Sequence, residues 1–221
     1  MFVGHYGVAL AAKRFAPKTS AGVTFLAVQW LDIVWAILVL VGWEHARIVP
    51  GYLPASSLVF YDYPWSHSLL MAMGWSWLAF RLFKSPVLAV CVFSHWVLDW
   101  VAHAPDLPLF RGGPEVGLGL WHFRTATFVV ESLLLLAGLW LYMRATRPLN
   151  GLGKLAMPAF TLLLLAVEAG DLWGPVPAKI QIVAISGEAA YLLFAGIAQA
   201  ADTLRERLPE EPPIRLHLNV D

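Results

Sequence analysis

Cysteine and charge are scarce in this chain. Cys91 is the single cysteine among 221 residues, which excludes an internal disulfide and a cluster of thiolate metal ligands. Only 14% of the residues are charged, and 15 Lys and Arg balance 15 Asp and Glu. Without a basic excess or a basic patch, the chain lacks the electrostatic footprint of a nucleic-acid-binding protein. We therefore expect no nucleic acid among its partners.

The chain is instead rich in apolar residues, which make up 59% of the sequence. That fraction exceeds the roughly one half that is typical of a soluble domain and indicates a membrane protein, with the lipid bilayer as its surroundings. A helix needs about 20 apolar residues to cross ~30 Å of hydrocarbon. Six runs approach that length, at residues 22–42, 66–83, 86–104, 120–142, 155–173 and 178–200.

A seventh apolar run, Phe2 to Ala16, ends at Pro17 and is too short to cross, since about 14 residues make roughly 21 Å of helix. No cationic segment precedes it and no small-residue cleavage site is evident, so we do not expect a removable signal peptide. The predicted fold is an all-α polytopic membrane bundle of six transmembrane helices plus a short, partly inserted N-terminal helix. No repeat or linker divides the bundle, so residues 1–201 form one domain, and residues 202–221 form a solvated tail.

The distribution of Lys and Arg predicts the orientation of this bundle. Most of the 15 basic residues lie in segments that would share one side of the membrane, around residues 13–18, 81–84, 144–154 and 205–215. Because cytoplasmic loops carry an excess of positive charge, both termini are predicted to be cytoplasmic. Loops 43–65, 105–119 and 174–177 would then face the outside.

Three side chains that can bind metals lie four residues apart in one apolar run: His95, Asp99 and His103. On a helix they share one face. Ionisable groups are costly inside a bilayer and usually face a protein interior or a water-filled cavity. This stripe therefore predicts a functional site.

Further ionisable side chains are expected at similar depth in neighbouring segments: His5, Asp32, His67 and His122. Imidazole nitrogens and carboxylate oxygens are the ligands of zinc and similar divalent ions. A histidine at the end of a span can equally be an interfacial hydrogen-bonding residue. Four acids within the predicted spans fit either outer partners of ligating histidines or a proton path: Glu131, Glu168, Asp171 and Glu188.

Four short motifs occur within about the first 110 residues: Gly4-His5, Leu31-Asp32-Ile33, Ser66-His67-Ser68-Leu69-Leu70 and Ser94-His95-Trp96-Val97-Leu98-Asp99. In order and approximate spacing, they resemble the motifs of a family of bacterial inner-membrane metal-dependent hydrolases. The family is also labelled LexA-binding inner-membrane-associated hydrolases and is distantly similar to zinc-dependent phospholipase C.

The resemblance implies a hydrolase of the bacterial inner membrane with a divalent metal, zinc first among the candidates, held by His5, Asp32, His67, His95 and Asp99. The chain also departs from the family. Where the family often has Pro-Asp-x-Asp-His, this chain has Leu31-Asp32-Ile33-Val34-Trp35, and Asp62 stands where the family often has a histidine. A second metal would need a new ligand set, such as Asp62, His103, Asp106 and His122.

The sequence leaves three functions open. The first is metal-assisted hydrolysis of a phosphoester, such as a lipid or lipid-linked headgroup. In that reaction Asp32 would be a ligand or the general base, and His103 or His122 would protonate the leaving group. The second is a non-catalytic scaffold whose metal ties the helices together. The third is a transporter coupled to protons or other ions.

Overall fold

The structure, a computed structural model, describes residues 1–208. This range is mostly helical and also contains one turn of 3-10 helix at Leu120–His122. The α-helices are α1 (Val3–Phe15), α2 (Ala21–Val28), α3 (Trp30–Leu40), α4 (Pro64–His67), α5 (Leu69–Phe83), α6 (Pro86–Ala102), α7 (Arg124–Ala145), α8 (Gly151–Trp173) and α9 (Ile180–Thr203). Most of the predicted tail, including His217, lies outside the described residues.

Short antiparallel strand pairs connect these helices where the sequence suggested loops only. The pairs within residues 1–208 are β1 (His45–Ile48) with β2 (Leu58–Asp62), β3 (Leu107–Pro108) with β4 (Glu115–Val116), and β5 (Thr146–Pro148) with β6 (Arg205–Arg207). The all-α prediction is thus confirmed for the bulk of the chain and is wrong for these connections.

Three helices in the described part of the chain are long and apolar enough to cross a membrane, namely α7, α8 and α9, with 22, 23 and 24 residues. Helices α2 and α3 provide a fourth apolar segment, which is bent by 56°. Helices α5 and α6 have 15 and 17 residues, fewer than the ~20 that a crossing needs. The structure therefore supports association with a membrane through three to four spans, and the six predicted spans are not supported.

Hydroxyl side chains define the starts of the two shorter helices. Ser68 Oγ accepts a hydrogen bond from the backbone of Met71 at the start of α5. Ser85 Oγ does the same for Leu88 at the start of α6, whose first residue is Pro86. Serine before a helix and proline at its first position both favour helix initiation. Helices α5 and α6 then pack against each other as a hairpin.

Glycines let α1 lie directly against α7. A Cβ atom added to Gly138 would lie 2.1 Å from the carbonyl oxygen of Gly7, and one added to Gly7 would lie 2.3 Å from the carbonyl oxygen of Leu134. Small residues at such a contact allow the backbones of two membrane helices to approach closely. The contact places the N-terminal helix inside the bundle, where Tyr6 and Leu10 are buried.

A buried polar network ties the other end of α1 to α9. Lys13 Nζ donates to Asp202 Oδ2 at 2.6 Å, and the Tyr142 hydroxyl donates to Asp202 Oδ1 at 2.8 Å. The backbone N–H of Ala21 also donates to Asp202 Oδ2, at 3.1 Å. This carboxylate thus joins the ends of α1, α2, α7 and α9.

Asp202→Ala is expected to destabilise the fold by about 3–5 kcal/mol, because it leaves the Lys13 ammonium buried without its counter-charge. Denaturation of the detergent-solubilised protein measures this loss. The control is Glu206→Ala, which breaks the exposed ion pair with Arg147 and should cost less than about 1 kcal/mol. Equal losses in the two variants would contradict the stabilising role of Asp202.

Candidate metal centre

Helix α6 carries His95 and Asp99 on its buried side, and His95 Nε2 lies 3.1 Å from Asp99 Oδ2. His103 follows the last residue of the helix and has an extended backbone, with φ −62° and ψ 147°. Its ring nevertheless remains on the same side, with Nε2 3.9 Å from Asp99 Oδ2. The three side chains therefore form one stripe, as their spacing predicts.

Three other segments, α1, α3 and α4, bring the remaining predicted ligands to His95 and Asp99. His5 of α1 places Nε2 3.3 Å from Asp99 Oδ1. His67 of α4 places Nε2 3.3 Å from Asp32 Oδ1 and 3.6 Å from Asp99 Oδ2. Two groups of possible ligand atoms, each within 4.8 Å, share His95: His5, His95 and Asp99, and Asp32, His67 and His95. The structure therefore brings all five residues together.

Hydrogen bonds on the far side of two histidine rings aim the rings at this centre. His95 Nδ1 lies 2.6 Å from the carbonyl oxygen of Val28, which is the last residue of α2. The final carbonyls of a helix lack an intrahelical partner, so this one can accept from the ring. His67 Nδ1 lies 2.7 Å from Ser66 Oγ. Both rings therefore direct Nε2 towards the carboxylates, which is the usual arrangement of metal-ligating histidines.

The donor set fits a divalent cation. The buried rings of His5 and His95 stack with centroids 3.9 Å apart and planes 2° apart. Within residues 1–208, His95 Nε2 and both ring nitrogens of His5 have no hydrogen-bond partner. A neutral His95 that donates from Nδ1 presents the lone pair of Nε2 to the Asp99 carboxylate. Two electron-rich groups at this distance repel each other unless positive charge lies between them, and a divalent ion at this point would provide it, as would a proton on Nε2.

A positive group already contacts the acidic side of the cluster. The Met1 amino group donates to Asp99 Oδ1 at 2.5 Å. Glu131 Oε2 accepts from the backbone N–H groups of Phe2 and Gly4 at 2.7 and 3.0 Å. A carboxylate is favourable at the start of a helix because the helix dipole is positive there. Glu131 therefore holds the start of α1 against the cluster.

The cluster borders a cavity of about 490 Å³. The side chains that line it on the cluster side are Asp32, His67, Asp99 and His103. Acidic residues of α7 and α8 continue the wall: Glu131, Glu168 and Asp171. No Lys or Arg side chain in the described part of the chain lines the cavity. The Met1 amino group offsets only one of the carboxylates in this wall, so an anionic substrate would still be repelled unless a bound cation offset the remaining negative charge.

His103 lines this cavity and has the surroundings of a proton-transfer group. Its Nδ1 lies 2.9 Å from Asp106 Oδ1, and the ring of Trp121 packs against it with centroids 4.2 Å apart. The Tyr63 hydroxyl donates to the carbonyl oxygen of Asp106 at 2.9 Å, which fixes the loop that carries this acid. A histidine oriented by a carboxylate suits general acid–base chemistry.

Two residues that the sequence pattern did not single out hold the predicted ligands in place. Tyr191 of α9 donates to Asp32 Oδ2 at 3.1 Å. Glu44 accepts from the Ser66 hydroxyl at 2.5 Å. Burial raises the pKa of the Glu44 carboxyl above its ordinary value, and the hydrogen bonds from Ser66 oppose that shift. In the sequence, Glu44 stands out only as an acidic residue just after the apolar run 22–42. Nothing in the sequence pointed to Tyr191.

Two residues considered for the site lie elsewhere. His122 is exposed, and its Nδ1 lies 2.9 Å from the carbonyl oxygen of Gly119. The geometry therefore does not support His122 as a proton donor. Asp62 pairs with His45 across the β1–β2 ladder at 2.9 Å, and both side chains are about half exposed. The second metal set suggested around Asp62 is consequently not assembled.

The centre offers three imidazoles and two carboxylates beside a cavity, in two overlapping groups that share His95. Such a ligand set is chemically suited to zinc and similar divalent ions. Comparisons of the chain with protein-family models, with curated proteins and with solved structures found no match.

Proposed function

We propose that the protein is a membrane-embedded, metal-dependent hydrolase that acts on a phosphoester. The supporting observation is the convergence of five possible ligands beside a cavity: His5, Asp32, His67, His95 and Asp99. Zinc is the proposed metal, because catalytic zinc sites combine imidazole and carboxylate ligands. The proposal extends to this chain the function that its resemblance to the inner-membrane metal-dependent hydrolases implies.

The chain's own residues divide the work around the metal. A divalent cation in this set supplies Lewis-acid chemistry, which polarises a phosphoryl oxygen and makes water more acidic. Asp32 serves as a ligand, since its Oδ1 faces His67 and its Oδ2 is occupied by Tyr191. His103 donates a proton to the leaving oxygen, because it lines the cavity and Asp106 fixes its ring.

A lipid-linked phosphoester fits the position of the cavity. Beyond the acidic residues, the wall includes apolar side chains of α8 and α9, such as Val167, Leu172 and Val183. Both helices are long and apolar enough to cross a membrane. A headgroup would therefore reach the metal while its hydrocarbon part lies along the apolar wall.

The cavity favours hydrolysis over the two alternatives. A structural zinc site is closed by four protein ligands. Here three of the proposed ligands, Asp32, His67 and Asp99, line the cavity, so the proposed site is open to it. Coupled transport draws support from Glu168, whose Oε2 is buried without a hydrogen-bond partner among residues 1–208. A proton path, however, does not require five metal-competent groups at one point, so transport is the second candidate.

We further propose that both termini lie on the cytoplasmic side of a bacterial inner membrane, on the basis of the Lys and Arg distribution. Crossings by α2 with α3, α7, α8 and α9 return the chain to the side on which it began. The α5–α6 hairpin begins and ends on one side, so its depth does not change this outcome. Full insertion of the hairpin would restore the six crossings expected from the sequence.

Metal analysis together with a phosphodiesterase assay tests the proposed function. We expect about one zinc ion per full-length chain, as a single catalytic centre requires. We also expect hydrolysis of bis-p-nitrophenyl phosphate that EDTA abolishes and Zn²⁺ restores. Purified protein without a stoichiometric divalent metal would refute the proposal. Metal-loaded protein that is inactive towards phosphodiesters and phospholipid vesicles would identify the metal as structural.

His103→Gln is expected to lower kcat by about 100- to 10,000-fold, the usual contribution of general acid–base catalysis. The zinc content should stay at the parent value, since His103 is outside the proposed ligand set. His122→Gln is the matched control and should retain the parent kcat, because His122 is exposed and does not line the cavity. Unchanged kcat in His103→Gln would remove His103 from the mechanism.

A further inference from the structure

Glu44 is a buried carboxylate that the proposed mechanism does not use directly. It lies between α3 and β1 and is 1% exposed. Its Oε1 accepts from the backbone N–H groups of Trp65 and Ser66 at 2.7 and 2.9 Å, and its Oε2 accepts from the Ser66 hydroxyl at 2.5 Å. Three donors converge on this group, as expected for a buried carboxylate. Glu44 is therefore fixed at the start of α4, the helix that carries His67.

The Ser66 hydroxyl connects Glu44 to His67. Its oxygen lies 2.5 Å from Glu44 Oε2 and 2.7 Å from His67 Nδ1. A hydroxyl has one proton to donate, and a carboxylate can only accept. The Ser66 proton therefore points to Glu44, so the Ser66 oxygen accepts a hydrogen bond from the Nδ1–H group of His67. The chain of hydrogen bonds runs in one direction, from His67 Nδ1 through Ser66 to Glu44.

We propose that Glu44 is a positioning residue that acts through Ser66 to hold neutral His67 as its Nδ1–H tautomer, with the Nε2 lone pair free to bind a divalent cation. This inference rests on the proposed metal centre, since it assigns His67 Nε2 as a ligand atom. His67 Nε2 lies 3.3 Å from Asp32 Oδ1, so the lone pair faces the other proposed ligands. The opposite tautomer would present a proton there and exclude the metal.

Glu44→Gln reverses the direction of this hydrogen-bond chain while it preserves the shape of the side chain. The amide oxygen of glutamine takes over the two backbone hydrogen bonds from Trp65 and Ser66. The amide nitrogen then faces Ser66 Oγ and can only donate to it. The Ser66 proton then turns towards His67 Nδ1 at 2.7 Å, which becomes an acceptor, in preference to the more distant carbonyl oxygen of Tyr63 at 3.4 Å. His67 is left with its proton on Nε2, where the metal should bind.

The expected effect is a weaker affinity for Zn²⁺. Loss of an outer partner of a metal ligand typically costs about 10- to 100-fold in affinity, and we expect Glu44→Gln near the upper end of that range. Ser66→Ala removes the connecting hydroxyl but imposes no opposite tautomer, so it should cost less. A side chain with a merely structural role would give the reverse order, because Glu44→Gln is the more conservative change.

Competition titration of the full-length protein with Zn²⁺ and a fluorescent chelator measures the Zn²⁺ affinities of the parent, Glu44→Gln and Ser66→Ala, and hence their order. The matched control is Glu115→Gln, the same replacement at an exposed position on β4, and it should bind as the parent does. Parent-like affinity in Glu44→Gln, or a greater loss in Ser66→Ala, would overturn the proposal.

Nitrogen-15 NMR of the metal-free protein, with labelled histidine, reads the tautomer directly. The His67 signals are identified by their absence in His67→Gln. We expect Nδ1–H in the parent and Nε2–H in Glu44→Gln, and the same tautomer in both would overturn the inference. If the parent binds no Zn²⁺, the proposed function fails, but the NMR experiment still decides the role of Glu44.

Discussion

Asp99→Asn is expected to abolish stoichiometric binding of zinc. Loss of a residue that only supports a metal ligand costs up to about 100-fold in affinity, so loss of the proposed direct ligand Asp99 should cost more than that. Asp99 contacts all three histidines of the proposed ligand set. Its two oxygens lie 3.1 Å from His95, 3.3 Å from His5 and 3.6 Å from His67. The amide of asparagine keeps the volume but removes the negative charge, and its NH₂ group cannot bind a cation. Hydrolysis should be lost with the metal.

Elemental analysis of the purified variant and a Zn²⁺ titration measure this loss. The control is His122→Asn, which changes an exposed residue that does not line the cavity. It should retain the metal content and the activity of the parent. Full zinc occupancy in Asp99→Asn would show that the metal lies elsewhere and would remove the basis of the proposed function.

Gly138→Leu is expected to yield no folded protein. Its Cβ atom alone would lie 2.1 Å from the Gly7 carbonyl oxygen, and the atoms that it meets belong to the backbone of α1, which cannot rotate away. Ordinary overpacking costs about 1–3 kcal/mol, but here two helices would have to separate along their contact. Against a typical total stability of about 5–15 kcal/mol, such a separation removes the fold.

Size-exclusion chromatography in detergent and the yield of monodisperse protein report this outcome. Gly196→Leu is the matched control, because a Cβ on the exposed Gly196 of α9 meets no atom within 4 Å. That variant should purify as the parent does. Monodisperse Gly138→Leu with a normal zinc content would show that α1 does not depend on close contact with α7.

The sequence contained much of the site because its residues combine local spacing with unusual chemistry. The spacing of four residues places His95 and Asp99 on one face of α6, as the structure shows. His5, Asp32 and His67 could be assigned to the same depth because ionisable groups stand out in apolar segments. The structure then brings these five residues together.

The remaining features depend on tertiary contacts that local sequence does not specify. Gln29, where the bend between α2 and α3 lies, is neither proline nor glycine, so no helix-breaking residue marked the bend. Apolar composition extended the predicted spans through α5 and α6 beyond the lengths of these helices. His122 was placed near the site by depth alone, but its ring bonds to Gly119 within its own turn. Glu44 acts through Ser66, more than twenty residues along the chain.

The packing of α1 on α7 has a consequence for the order of events during synthesis. All five proposed ligands are synthesised before Gly138, because they lie between residues 5 and 99. His5 nevertheless belongs to a helix whose close partner and whose Glu131 anchor both come from α7. A nascent chain that ends before α7 thus carries every ligand but lacks the surface that positions His5. If the proposed centre binds its metal with all five ligands, the complete set would therefore form only after α7 has been inserted.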